Sequence, residues 1–228
     1  MMLLLIGLIL AYWFKQEWAK FPLRINKQIY EDYQQMLPSD ITFNEFLSKS
    51  PLQVKACRRF YLFYLLFPFV LWIFKTLPLP LIFISLILLY LSLLDSVYYL
   101  TDIRYVALIF MLSIAQLLFY DQTALYLHLL NLLFTSLFFT IFIPLTNRLF
   151  NQEMLGIGDV VLLIALTPLF TIEQMMLLLL YSSLCGLFFA LCYKLICRKN
   201  IHRLPFIPFI TISTFILFID RIPTVFNT

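Results

Sequence analysis

Apolar runs of near-bilayer length recur along this chain, and that recurrence decides the fold class before any motif is read. A segment inside hydrocarbon must satisfy its own backbone hydrogen bonds, which leaves helices or closed barrels. Eight such segments can be drawn, at residues 1–14, 60–74, 77–94, 103–120, 124–145, 160–170, 174–193 and 204–219. None alternates like a ten-residue barrel strand. With 63% hydrophobic and only 12% charged residues, and a mean hydropathy of +0.94, a soluble globular fold is excluded. The expected class is all-α: a polytopic membrane helix bundle of about eight transmembrane helices with one larger cytoplasmic loop.

Residues 1–14 lack a basic leading region and a small-residue cleavage site, and Lys15 follows them. They read as a first transmembrane span and not as a signal peptide. Residues 15–59 are the long polar region, with Ser39–Asp40 as a helix start ahead of Phe43. Residues 60–220 form the main transmembrane domain. Pro78 and Pro80 suit a helix start, whereas Pro68 and Pro168 would kink one. If the 15–59 loop is cytoplasmic and the spans alternate, fourteen of the sixteen basic residues fall on the cytoplasmic side. Only Lys75 and Arg221 lie outside. The positive-inside rule therefore predicts a multi-pass plasma-membrane protein with both termini outside.

The acids gain meaning on that topology. Asp95 closes a span that descends to the cytoplasm, and Asp159 opens one that rises from it. Two carboxylates 64 residues apart thus share one membrane face. Two close carboxylates cannot both ionise, so one keeps a proton. The charged one can take a proton from water while the neutral one polarises a carbonyl, which is the chemistry of an aspartyl protease. The second acid sits in Leu155-Gly156-Ile157-Gly158-Asp159, which holds two of the four glycines in the chain. Gly156 and Gly158 permit backbone angles and close approach that a Cβ would block, so a peptide substrate could lie beside Asp159.

Three places then resemble the type IV prepilin peptidase family, the membrane aspartyl proteases with a Gly-x-Gly-Asp motif. Gly156-Ile157-Gly158-Asp159 stands where that family has its second catalytic aspartate. Leu94-Asp95-Ser96-Val97-Tyr98-Tyr99-Leu100-Thr101-Asp102 resembles the segment holding the first. Arg203-Leu204-Pro205-Phe206-Ile207-Pro208-Phe209 resembles the closing Pro-Phe-Gly-Pro-Phe element, with Ile207 in place of glycine. The resemblance makes residues 60–220 a transmembrane aspartyl peptidase domain, with Asp95 and Asp159 as its catalytic pair and Gly156 and Gly158 as motif and substrate-binding residues. It implies a hydrolase that removes the N-terminal leader of type IV prepilin-like proteins at the cytoplasmic membrane face. The implied partners are that protein substrate and membrane lipid, with no nucleic acid bound directly.

The chain departs from the family in its first cytoplasmic loop, where many members carry two Cys-x-x-Cys pairs. Only Cys57 is found there, so no four-thiolate metal site can form and no cofactor is expected. The Gly-Ser-Phe-Leu-Asn-like element tied to N-methyltransferase activity is not matched around Gly7 to Phe14, so the resemblance does not extend to methylation. These departures make the chain most similar to the competence-type prepilin peptidases of Gram-positive bacteria, which process pseudopilins for DNA uptake. Asp102, seven residues after Asp95, is the rival for the first position. Glu153 reads as a solvated loop acid, and His128 beside Asn131 as a buried polar group bonded between helices. Two other readings of the same acids remain: a proton-coupled transporter, and a catalytically inactive assembly partner.

Overall fold

The structure is a computed structural model that describes residues 2–36, 42–53, 61–120, 125–150, 155–197 and 204–221. Among these the chain forms nine α-helices and no strand, an all-α membrane bundle. It divides into two compact units, Met1–Trp72 and Ile73–Thr228.

In the first unit, α1 (Met2–Met36) and α3 (Tyr61–Ile73) run antiparallel. Gly7, Ala11, Phe14, Trp18 and Phe21 recur at helical spacing and are buried. Trp18 meets Phe63 edge-on at 5.6 Å, and Phe14 lies 5.1 Å from Phe67. At Gly7 the approach is close enough that a Cβ would come within 2.9 Å of Pro68 Cα. Pro68 is accommodated inside α3. α1 does not stop where its apolar run ends. It continues to Met36, carried by Glu17 pairing with Lys20 and Arg24 and by Lys27 with Glu31 one turn on at 3.7 Å.

α2 (Phe43–Lys49) begins at Thr42, whose N–H donates to Glu45 Oε2 at 3.4 Å. The expected start at Ser39–Asp40 lies outside the described residues. Tyr30 holds α2 against α1 through Phe43 and Phe46. Beyond α2 the chain is clasped by buried Asn26. Its Nδ2 donates to the Leu52 carbonyl at 2.7 Å, and its Oδ1 accepts from Ser50 Oγ at 2.6 Å.

The second unit holds α4 (Leu79–Tyr98), α5 (Ile103–Phe119), α6 (Leu125–Phe150), α7 (Ile157–Leu166), α8 (Ile172–Cys197) and α9 (Ile207–Ile219). Pro78 caps α4 and Pro80 sits in its first turn, as their fixed φ suits. α8 packs on α9, α9 on α4, α4 on α5 and α5 on α7, with α6 beside the end of α7. The core follows that order, through Ile210 and Phe218 of α9, Leu88 and Leu91 of α4, Ile109 of α5 and Leu162 of α7. α4, α6 and α8 are the described helices long and apolar enough to cross a membrane. α4 is mostly covered by protein, whereas α6 and α8 carry exposed rows of Leu and Phe that suit lipid.

Pro168 ends α7 where a kink was expected. Without an N–H it cannot continue the ladder, and the chain tightens into a 3₁₀ turn, Thr167–Leu169. The carbonyls freed there are met from two sides. Asn131 Nδ2 donates to Phe170 O at 2.8 Å, and Arg221 Nη2 donates to Leu169 O while its guanidinium lies over the Phe170 ring. Asn131 Oδ1 in turn accepts from Thr135 Oγ1, and His128 is buried one turn away.

The Asn26 clasp can be tested alone. Asn26→Ala leaves the Leu52 carbonyl and the Ser50 hydroxyl without that partner, a loss of about 1–3 kcal/mol for a buried polar group. Faster limited proteolysis in residues 42–53 of the detergent-solubilised variant is expected, with unchanged protection in α8.

Candidate active site

Three helix ends meet at one end of the second unit. The first is the C-terminus of α4. Asp95 lies one turn from that end and is buried, 6% exposed. Tyr99 closes the helix in the left-handed conformation, φ 54°, its N–H on the Asp95 carbonyl at 2.9 Å. A non-glycine residue there costs roughly 1–2 kcal/mol, so the reversal into α5 is tightly specified by its surroundings.

The second is the N-terminus of α9. The first amides of a helix have no partner within it and carry the positive end of its dipole. Here the Ile207 N–H donates to Asp95 Oδ2 at 3.2 Å, and the Phe206 amide also bonds that carboxylate. Pro208 follows within the first turn. The Pro-Phe-Ile-Pro-Phe element is therefore the start of a helix aimed at an aspartate 112 residues earlier. Ile207, in the glycine's place, points its side chain into the core, 0% exposed.

The third is the N-terminus of α7. Gly156 is its cap and Asp159 lies in its first turn. The Asp159 N–H bonds the Gly156 carbonyl at 3.1 Å, and the Asp159 carboxylate bonds back to the Gly156 amide. The two glycines do different work. A Cβ on Gly156 would lie 3.1 Å from Asp159 Oδ2, so glycine leaves room for the carboxylate. A Cβ on Gly158 would overlap the Thr101 hydroxyl and come within 2.8 Å of Thr101 Cβ. Glycine here lets the first turn of α7 close onto the α4–α5 connection. Neither glycine has positive φ, and Gly156 sits at φ −66°, ψ 136°. Close approach is the reason for both, and the unusual backbone angles anticipated from the sequence are not used.

Asp95 and Asp159 are thus brought together, near enough for the charge of Asp95 to act on Asp159. Asp159 is half-buried, so the pair is open on its side. Asp102 has another position: it is the N-cap of α5, its Oδ1 accepting the Arg104 N–H at 3.2 Å, and it is buried. Glu153 lies outside the described residues, as does Cys57. His128 and Asn131 sit with the carbonyl end of α7, opposite the end that bears Asp159. Among the described residues no three or more His, Cys, Asp or Glu cluster as a metal site. Sequence reading missed Thr101 and the amides of Phe206 and Ile207. A helix start after Pro205 was a signal for the amides. Thr101 gave none.

Fold and site together define an all-α membrane protein that gathers two carboxylates at the ends of apolar helices. Residues 82–191, which contain both aspartates and both glycines, match the model of the type IV leader peptidase family, a match that supports that family for this chain. That family implies a peptidase and a prepilin-like substrate. Comparison with curated proteins and with solved structures gave no match.

The packing ranks the two glycines. At Gly158 the obstacle is a short side chain close to its own backbone, whereas at Gly156 it is the free end of Asp159. Gly158→Ala should therefore lower the thermal unfolding temperature in detergent by several degrees more than Gly156→Ala. The reverse order would contradict the geometry.

Proposed function

We propose that the chain is an aspartic endopeptidase that uses Asp95 and Asp159 to remove the leader of type IV prepilin-like proteins at the cytoplasmic membrane face. The observation that carries this is the junction of three helix ends, where a carboxylate held by the start of α9 lies within the field of a second carboxylate at the start of α7.

The two acids share one proton, because a second negative charge beside the first in this poorly solvated place is costly. The ionised carboxylate draws a proton from a water molecule as its oxygen attacks the scissile carbonyl. The protonated carboxyl donates to the carbonyl oxygen, and a proton passes to the leaving amine as the C–N bond breaks. The amides of Phe206 and Ile207 hold Asp95 in place for this. The exposed face of Gly156 lets a substrate backbone approach Asp159 without meeting a Cβ.

The distribution of basic residues supports a multi-pass plasma-membrane topology with both termini outside and this junction on the cytoplasmic side. The leader of a membrane-inserted pilin-like protein would then reach the site from the cytoplasm. A thiol-poor first loop and an unmatched methylation element support a pseudopilin peptidase of the competence type, for DNA uptake.

Co-expression with a prepilin-like substrate tests the assignment. Asp95→Asn and Asp159→Asn should each insert normally and reduce leader removal at least ~100-fold, the scale for loss of an acid–base group. Asp102→Asn keeps an acceptor for the α5 cap and should cleave at close to the parental rate. Cleavage by either of the first two variants at the parental rate would overturn the pair. Abolition by Asp102→Asn alone would move the first position to Asp102.

A further inference from the structure

The connection from α4 to α5 is four residues long and fixed at both ends, by the left-handed Tyr99 on one side and the Asp102 cap on the other. Thr101 stands between those anchors, six residues after Asp95, and is half-buried. Its side chain lies directly on the Cα of Gly158, the residue before Asp159. The nearest atoms to a Cβ placed there are the Thr101 hydroxyl and Cβ, with Cγ2 at 3.6 Å. One short side chain therefore separates the backbone that carries one acid from the backbone that carries the other. A β-branched side chain is stiff about its first torsion, so this separator has little give.

We infer that Thr101 is a positioning residue, the steric spacer that sets the separation of Asp95 and Asp159. The inference rests on the aspartyl reading given above. The spacer acts through shape and not through its hydroxyl. A longer side chain wedges α7 away from α4, and the pair no longer shares its proton in reach of one peptide bond. Displacement by an ångström is enough to cost roughly 100-fold in rate where reacting groups must align. On this inference Thr101 acts through the two acids, so the effect falls on kcat.

The test is a set of substitutions in the full chain, assayed in membranes with a prepilin-like substrate. Thr101→Val keeps the shape and should stay within about 3-fold of the parent, while Thr101→Leu should lower kcat more than ~10-fold with KM within about 3-fold. Gly158→Ala should lower kcat similarly, and the double change Thr101→Gly with Gly158→Ala, which vacates the overlapped space, should recover about 5-fold or more. Thr101→Leu cleaving at the parental rate, or a double variant no faster than Gly158→Ala, would overturn the spacer. Asp95→Asn and Asp159→Asn run alongside. If they cleave, the aspartyl reading falls; if they do not and the Thr101 series is flat, only the spacer falls. The cycle of parent, Thr101→Gly, Gly158→Ala and the double variant is also read by thermal unfolding in detergent. Non-additive shifts are expected there, and strict additivity would overturn the Thr101–Gly158 contact whatever the activity.

Discussion

A carboxylate set into an apolar helix bundle persists only where donors are aimed at it, and the start of α9 supplies them to Asp95. Much of the second unit serves that one bond. α9 must lie along α4 with its first turn level with Asp95. The seam is held by buried apolar residues and by Thr211, whose hydroxyl reaches the Leu88 carbonyl at 3.3 Å. Between membrane helices, packing and such polar ties do the work that the hydrophobic effect does in water. Pro205 and Pro208 bracket the helix start, so its free amides fall beside the aspartate instead of being absorbed by further helix.

The approach of α7 is the complementary constraint. Both ends of this short helix are fixed by neighbours, one by close packing and the other by hydrogen bonds. Its N-terminus rests on the Asp95–Asp102 connection through the absent side chain of Gly158. Its C-terminus, broken at Pro168, gives its carbonyls to Asn131 and Arg221. The carbonyls at the broken end of α7 thus meet donors from outside that helix. The buried polar residues His128, Asn131 and Thr135 belong to this anchoring end, which is why they lie away from the acids.

The helices of the second unit were legible in the sequence because apolar runs mark spans directly, and their observed bounds lie within a few residues of the runs. α1 was less so. Beyond Trp18 its helix is carried by ion pairs across one and two turns, a pattern that an eye for hydropathy reads as loop. The two acids could be located because each stood at the edge of a run, and the Gly-x-Gly-Asp string singled out the second. Close approach at the glycines was anticipated, but the neighbour that makes it was not. Conformational freedom is a property of the residue, whereas close approach depends on a neighbour 57 residues away at Thr101. The same is true of the main-chain amides at Phe206 and Ile207, which have no letter in a sequence at all.

The bond between Asp95 and Ile207 joins the middle of the polypeptide to its last described helix. A chain still emerging from the ribosome can place α4 through α8 in the bilayer without possessing that bond. Asp95 then lacks the donors that orient it, and the junction of three helix ends has only two. Catalytic competence on the proposed mechanism therefore waits for α9 as well as for the segments that carry the two acids.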